Sequence, residues 1–411
     1  MASRCPRRLT TRTRAGRRAA LRDFLRVEAV GGCLLLVATV AALVWANSPV
    51  RDSYGTWWLG HHTASIGPWS ITISPVHVVN DGFMVLFFFV IGLELKREWV
   101  VGELRDRRAA VLPAVAALGG MVVPALLYVL VNHGGDGAHG WGIPMATDIA
   151  FAFGVVTLLG SRVPASLKVF LLTLAIVDDV GAIVVIAIWY SSSLHWAWVG
   201  GALVALVAVG LLRRRRVTTG LPYILLGIVA WYATWRSGVH PTIAGVALGL
   251  LVPVRASSHA PAHPVTPDAS SLEDRLHPWT SLVVVPLFAL ANAGVDLSGG
   301  FHGPGGDVLL GVGLGLLVGK PLGIVGATWL GVRLGLADAP REARWSQVLG
   351  VSLLAAIGFT MSLFVTGLAF DGSAAAHLSD RAVVGILLAS TVAALVGSAL
   401  LTRANRRAVS T

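Results

Sequence analysis

The chain has 411 residues, 55% of them hydrophobic, and a mean hydropathy of +0.74. Charged residues make up 13%, about half of the roughly 25% usual in soluble domains. This excludes an ordinary soluble protein and describes an all-α polytopic membrane protein, so the net charge of +11 is read as topology and no nucleic-acid partner is expected.

Apolar windows of about 20 residues predict twelve spans, at 29–47, 76–95, 109–131, 141–159, 165–190, 196–212, 221–235, 239–254, 279–295, 307–334, 345–370 and 382–401. The seventh and eighth are short. They divide the chain into a basic tail (1–28), a transmembrane domain (29–402) and a C-terminal tail (403–411). With the N-terminus in the cytoplasm, 28 of the 32 basic residues fall on inside segments, including nine arginines in the first 26 residues and the run Arg213 to Arg216. That asymmetry follows the positive-inside rule, and an even number of spans returns the C-terminus to the cytoplasm. The Arg-rich start also has features of a targeting peptide, but eleven further spans need an uncleaved first helix to keep their orientation. Cys5 and Cys33 form no disulfide framework or ligand spacing.

After the first span, 57–74 has β-type residues around Gly67-Pro68 and is expected to form an extracytoplasmic hairpin, whose exposed edge suits self-association. Farther along, charges sit where lipid should be. Asp178 and Asp179 lie mid-span, and Asp81, Asp148 and Lys320 also fall inside predicted spans. Each ionised group at the centre of a span costs roughly 2.5–3.5 kcal/mol on insertion scales, which marks an ion or proton pathway. Lys320 is the natural partner of a carboxylate. Successive helical residues point about 100° apart, so one of the two aspartates can face Lys320 while the other faces a water-filled cavity.

Spans four and eleven are interrupted. Gly142-Ile143-Pro144-Met145-Ala146-Thr147-Asp148 and Ala356-Ile357-Gly358-Phe359-Thr360-Met361-Ser362 combine Gly or Pro with hydroxyl residues at membrane depth, a composition suited to a break lining a cavity, although either span taken alone reads more readily as an ordinary kink with its Thr and Ser bonded back to the helix. Asp148 would offset the positive ends of the resulting half-helices and Lys320 the negative ends. The two interrupted spans are the middle members of triplets at about 109–190 and 307–402. Those triplets start on opposite sides, the pattern of an inverted repeat with its site at the interface.

Several other signals carry less. Gly319-Lys320-Pro321 superficially resembles a phosphate-binding loop but has Leu314 at its first Gly position and Pro321 in place of Ser or Thr. No ATP motif is present, so uphill transport must draw on a gradient. The Gly311, Gly315 and Gly319 spacing is read as close helix packing, and His240 as a helix-end residue. An intramembrane aspartyl protease needs two aspartates facing each other, which adjacent residues on one helix cannot do; the chain is not expected to be an enzyme. A proton-coupled carrier of another small solute stays as the alternative.

Taken in chain order, Asn80-Asp81-Gly82, Gly92-Leu93-Glu94-Leu95-Lys96-Arg97-Glu98, Pro144-Met145-Ala146-Thr147-Asp148, Leu174-Ala175-Ile176-Val177-Asp178-Asp179-Val180-Gly181, Ser237-Gly238-Val239-His240, Leu276-His277-Pro278-Trp279, Pro286 to Asn292, Gly319-Lys320-Pro321 and Gly358-Phe359-Thr360-Met361-Ser362 resemble the NhaA family of sodium/proton antiporters. The resemblance runs from about residue 28 to 402. It implies about twelve transmembrane helices in a bacterial inner membrane and electrogenic, pH-regulated export of Na+, with Li+ as a second substrate, in exchange for H+. It further implies a homodimer and no cofactor. On the matching positions, Asp179 would be the principal cation ligand and proton carrier. Asp178 would pair with Lys320 or serve as second carrier and share the Na+, with Thr147 and Asp148 completing the polar midplane beside Gly358 and Thr360. Glu94, Arg97, Glu98, Glu273 and His277 would form the cytoplasmic entrance and pH-response region, where Asp274 stands in place of the histidine of some members and the loop 256–271 is long and nearly uncharged.

Overall fold

The structure is a computed structural model that describes residues 30–66, 69–191, 193–215, 217, 219–254, 268–297, 305–337, 343–372 and 375–409. The basic tail, the hairpin turn at Gly67-Pro68 and the loop 255–267 lie outside the described residues.

Each of the twelve apolar segments contains helix. In chain order the helices are α1 (Val30–Ala46), α2 (Arg51–Trp58), α3 (Pro75–Val100), α4 (Arg107–Val131), α5 (Asp136–Met145, a 3-10 helix), α6 (Ile149–Leu159), α7 (Ala165–Trp189), α8 (Trp196–Arg214), α9 (Leu221–Ser237), α10 (Thr242–Leu251), α11 (269–292), α12 (Gly306–Arg333), α13 (Trp345–Ala355), α14 (Phe359–Ala369) and α15 (Ala376–Val409). Among the described residues, six helices are long and apolar enough to cross a membrane, or up to nine if each bent pair is one span. The break between α5 and α6 bends the chain by 41° and that between α13 and α14 by 46°, while α2 turns 115° away from α1. α10, at ten residues, spans only about 15 Å.

Between α2 and α3, strands β1 (His62–Ile66) and β2 (Trp69–Ile73) pair antiparallel, with His62 opposite Ile73 and Ile66 opposite Trp69. Trp57 and Trp58, which the sequence reading placed in the hairpin, end α2 instead. A second difference concerns the ninth segment. Its helix begins at Ala269, ten residues before the apolar run, because Asp268 and Ser271 form a capping box in which each side chain accepts from the other's backbone N–H at 3.2 Å. The charged turn that follows extends the helix beyond its apolar part.

Two of the helices swell into π turns just ahead of a proline. Thr280–Val284 precedes Pro286, and Gly315–Gly319 precedes Lys320 and Pro321. Proline has no N–H to return to the preceding turn, and in these two helices the turn ahead of it is widened, whereas α4 runs through Pro113 and Pro124 without a π turn. In α12 the widened turn sits directly before Lys320. The same helix packs backbone to backbone on α4: a Cβ at Gly319 would fall 2.7 Å from the Pro124 Cα, and Gly323 lies against Gly119 as closely. That contact is the close packing expected of the glycine spacing.

Candidate functional site

The two interrupted helices meet at their breaks, and the residues there satisfy each other's unpaired backbone. A broken helix leaves N–H groups at one new end and C=O groups at the other. Asp148 serves two of the N-termini. Its Oδ1 accepts the Phe151 N–H at 3.0 Å, capping α6, while its Oδ2 accepts the Thr360 N–H at 3.1 Å and the Thr360 hydroxyl at 2.6 Å, capping α14. The Asp148 N–H donates to the Ile357 carbonyl at 2.7 Å, and Ser362 Oγ donates to the Ile143 carbonyl at 2.8 Å.

The C-terminal ends are met differently. Lys320 Nζ donates to the Met145 carbonyl, the last of α5. At the end of α13, the Ala355 carbonyl lies 2.9 Å from Thr147 Oγ1. Lys320 was expected to offset both negative ends; its ammonium meets the end of α5 and a carboxylate, and at the end of α13 the neighbouring group is the Thr147 hydroxyl. That carboxylate is Asp178. Its Oδ2 accepts from Lys320 Nζ at 2.7 Å and from Thr147 Oγ1 at 2.6 Å. Lys320 and Asp178 are completely buried, so each ion needs the other.

Asp179 points elsewhere. It is 4% exposed, its Oδ1 has no hydrogen-bond partner among the described residues, and it lines a cavity of about 80 Å³ with Asp148, Glu94, His277 and Thr360. The sequence left open which aspartate takes the lysine, and the helix phase of α7 assigns it to Asp178. An unpartnered carboxylate oxygen at the end of a cavity can take up a proton or a small hard cation such as sodium. Among the described residues no three His, Cys, Asp or Glu side chains converge as a transition-metal site requires.

About one helical turn from Glu94 and His277, which line this cavity, Arg97 of α3 reaches Glu273 of α11 at 2.5 Å and Glu98 at 3.5 Å. The structure thus joins the two distant segments, Glu94 to Glu98 and Glu273 to His277, that sequence grouped only by resemblance. Glu273 lies on the polar extension of α11, and burial pushes its carboxyl up to about 8 although Arg97 beside it pulls the other way. A carboxyl raised in the folded state contributes stability that is fully present below its unfolded value and is lost as pH rises through the folded value. Glu273→Gln removes that titration. Between about pH 5 and about pH 8, the melting temperature of the purified protein should therefore fall with rising pH more steeply for the wild type than for the variant. Parallel curves would show that Glu273 does not titrate in this range.

Some site features had no sequence signal. Tyr190 Oη accepts the Gly142 N–H at 3.1 Å and donates to the His139 carbonyl at 2.9 Å, holding α5 to the end of α7. Asn80 and Asn292 exchange side-chain hydrogen bonds at 3.1 and 2.9 Å between α3 and α11. Both amides belong to motifs quoted above, but nothing in either motif showed that they face each other. Asp81, placed inside a span by hydropathy, sits in the first turns of α3 with its Oδ1 3.3 Å from His240 Nε2. His240 does lie at a helix end, where its Nδ1 is 2.7 Å from Thr242 Oγ1 at the start of α10.

Known proteins resemble the chain over nearly its whole length. The sequence model of a family described as Na+/H+ antiporter 1 matches residues 22–401. A protein named Na(+)/H(+) antiporter NhaA from Mesorhizobium japonicum is 48% identical over 392 residues, covering 93% of this chain and 94% of the relative. One of the same name from Bordetella parapertussis is 47% identical over 405 residues, covering 95% and 98%. Na(+)/H(+) antiporter NhaA 2 from Rhodococcus jostii is 46% identical over 399 residues, covering 95% and 94%. With a buried carboxylate pair, a paired lysine and two interrupted helices in a multi-pass helical protein, the chain belongs to the Na+/H+ antiporter 1 family.

Proposed function

We propose that the chain exports sodium in exchange for protons, with Asp179 as the principal cation ligand and proton carrier. The observation that carries this reading is the division of labour between neighbours: the Oδ1 of each is unpartnered among the described residues, but Asp178 is completely buried with its Oδ2 held by Lys320 and Thr147, while Asp179 lines a cavity without such a pair. Protonated, Asp179 has little to offer a cation. Deprotonated, it presents hard oxygen to a small one, so protons and sodium compete for one place. Thr147, Asp148, Thr360 and the Gly358 break complete the polar surroundings, and Li+ is a second substrate by its size and charge.

The twelve helical segments are read as twelve crossings of a bacterial inner membrane with both termini cytoplasmic, supported by the basic residues on the inside segments. The domain limits stay at 29–402, flanked by the tails 1–28 and 403–411, and the triplets about 109–190 and 307–402 form an inverted repeat. The near-matching arrangement of the two breaks around Asp148 supports that symmetry. Glu94, Arg97, Glu98, Glu273 and His277 then lie at the cytoplasmic mouth, where a buried carboxyl with a value of about 8 supports a pH-regulated opening. The hairpin edge supports a homodimer.

Two titrating aspartates beside one lysine can carry more than one proton per sodium, which makes the exchange electrogenic. Each net inward charge is then driven by roughly 2.3 kcal/mol per 100 mV. The test is fluorescence-monitored antiport in everted vesicles with sodium, lithium and potassium, followed by sodium flux in proteoliposomes under imposed potentials. Sodium and lithium should collapse the pH gradient while potassium does not, and an inside-negative potential should accelerate sodium exit coupled to proton entry. Sodium flux indifferent to voltage at fixed pH gradient would reject the unequal stoichiometry. A response to potassium alone would reject sodium as substrate.

A further inference from the structure

α5 is a ten-residue 3-10 helix, and runs of that kind beyond three or four residues are uncommon because their hydrogen bonds have poorer geometry. Side chains from other helices hold its backbone. Tyr128 Oη of α4 donates to the Gly137 carbonyl at 2.7 Å, Ser362 Oγ of α14 to the Ile143 carbonyl at 2.8 Å, and Lys320 Nζ of α12 to the Met145 carbonyl. Tyr190, which closes α7, holds two groups at once: its hydroxyl accepts the Gly142 N–H at 3.1 Å and donates to the His139 carbonyl at 2.9 Å.

Gly142 stands three residues before Met145, about 6 Å along a 3-10 helix, so Tyr190 fixes α5 one turn away from the carbonyl that meets Lys320. Lys320 in turn holds Asp178 at 2.7 Å, and Asp178 lies on the helix that Tyr190 ends. α7 is thus tied to α5 twice, directly through Tyr190 and again through Asp178, Lys320 and the Met145 carbonyl. The approach at Gly142 depends on glycine: a Cβ there would fall 2.7 Å from Tyr190 Oη, so a larger residue pushes the hydroxyl away. The Tyr190 ring also packs near Trp141 and His139, with centroids 6.3 and 5.6 Å away, contacts that need no hydroxyl.

Resting on the reading of Asp179 as the ion site, we propose that Tyr190 is a positioning residue for that site: its hydroxyl sets the place of α5 and, through the Met145 carbonyl, the place of Lys320 and the carboxylate beside Asp179. A completely buried ammonium stays where its acceptors are, because leaving one of its donors unmatched is costly. If the Met145 carbonyl retreats, Lys320 and Asp178 move with it, and the polar surroundings of the neighbouring Asp179 are no longer held in place.

The test uses the full chain carrying Tyr190→Phe, which keeps the ring and removes the hydroxyl. Sodium/proton antiport in everted vesicles should show an apparent KM for sodium raised about fivefold, the scale of one neutral hydrogen bond, and a smaller fall in maximal rate. A tyrosine that merely aided folding would lower the maximal rate at unchanged KM. Gly142→Ala, which keeps the hydroxyl and displaces it, should raise the KM in the same way. Thermal unfolding then closes a cycle over the parent, Tyr190→Phe, Lys320→Ala and the double variant: the drop in melting temperature caused by Tyr190→Phe should be at least halved when Lys320 is absent. If Lys320→Ala gives no folded protein, Lys320→Ala with Asp178→Asn serves as the background. Additive drops, or an apparent KM unchanged in both Tyr190→Phe and Gly142→Ala, would overturn the assignment. The cycle does not depend on antiport: additive drops leave Asp179 as the ion site, and sodium flux persisting in Asp179→Asn would sink that reading whatever the cycle shows.

Discussion

Asp179→Asn abolishes sodium-dependent proton flux and leaves the protein folded. The amide keeps the shape of the carboxylate in the 80 Å³ cavity, so packing around α7 is preserved. It can neither exchange a proton in the working range nor neutralise a cation, and both halves of the exchange stop together. Removing a buried, unpartnered carboxylate also relieves desolvation, so the melting temperature in detergent should be equal or higher. The measurements are antiport in everted vesicles and thermal unfolding of the purified protein. Normal sodium-driven flux in the variant would move the exchange site away from Asp179, and Asp178→Asn would then be the variant to compare.

The second large effect is expected at Lys320, and it falls on stability first. Lys320→Ala leaves Asp178 completely buried without its cation and the Met145 carbonyl without its donor. Breaking one side of a buried pair costs about 3–5 kcal/mol, enough to lower the melting temperature clearly and to weaken antiport. Removing both charges is cheaper than removing one. The double variant Lys320→Ala with Asp178→Asn should therefore recover part of the stability lost in the single variant, a coupling that a thermodynamic cycle over the four proteins reads directly. Additive losses, or a single variant as stable as the parent, would mean that Lys320 does not balance Asp178.

Most of the architecture was legible because lipid forbids what water permits. Each apolar window contains helix, although α2 and the polar start of α11 lie outside those windows, and the charges inside them stood out by their cost. The breaks at Gly142 to Asp148 and Ala356 to Ser362 were legible for the same reason, since glycine, proline and hydroxyls are misplaced in an uninterrupted span. What sequence could not supply was direction. Asp178 and Asp179 are equivalent until the phase of α7 against α12 is known, and the double use of Asp148 depends on a crossing between residues 212 apart. The start of α11 was missed because its capping box lies outside the apolar run, where hydropathy gives no weight to Asp268 and Ser271. The Tyr190 hydroxyl and the Gly142 N–H that it accepts come from residues 48 apart, so nothing along the chain grouped them.

One carboxylate ends two helices, and this has a bearing on how such a protein can move. Because Asp148 closes α6 with one oxygen and α14 with the other, the two interrupted helices are riveted at a single point rather than seated side by side. A cation or proton that draws on that rivet is felt by both at once. Neither helix can respond alone, and the smallest motion available to the site is a shared one.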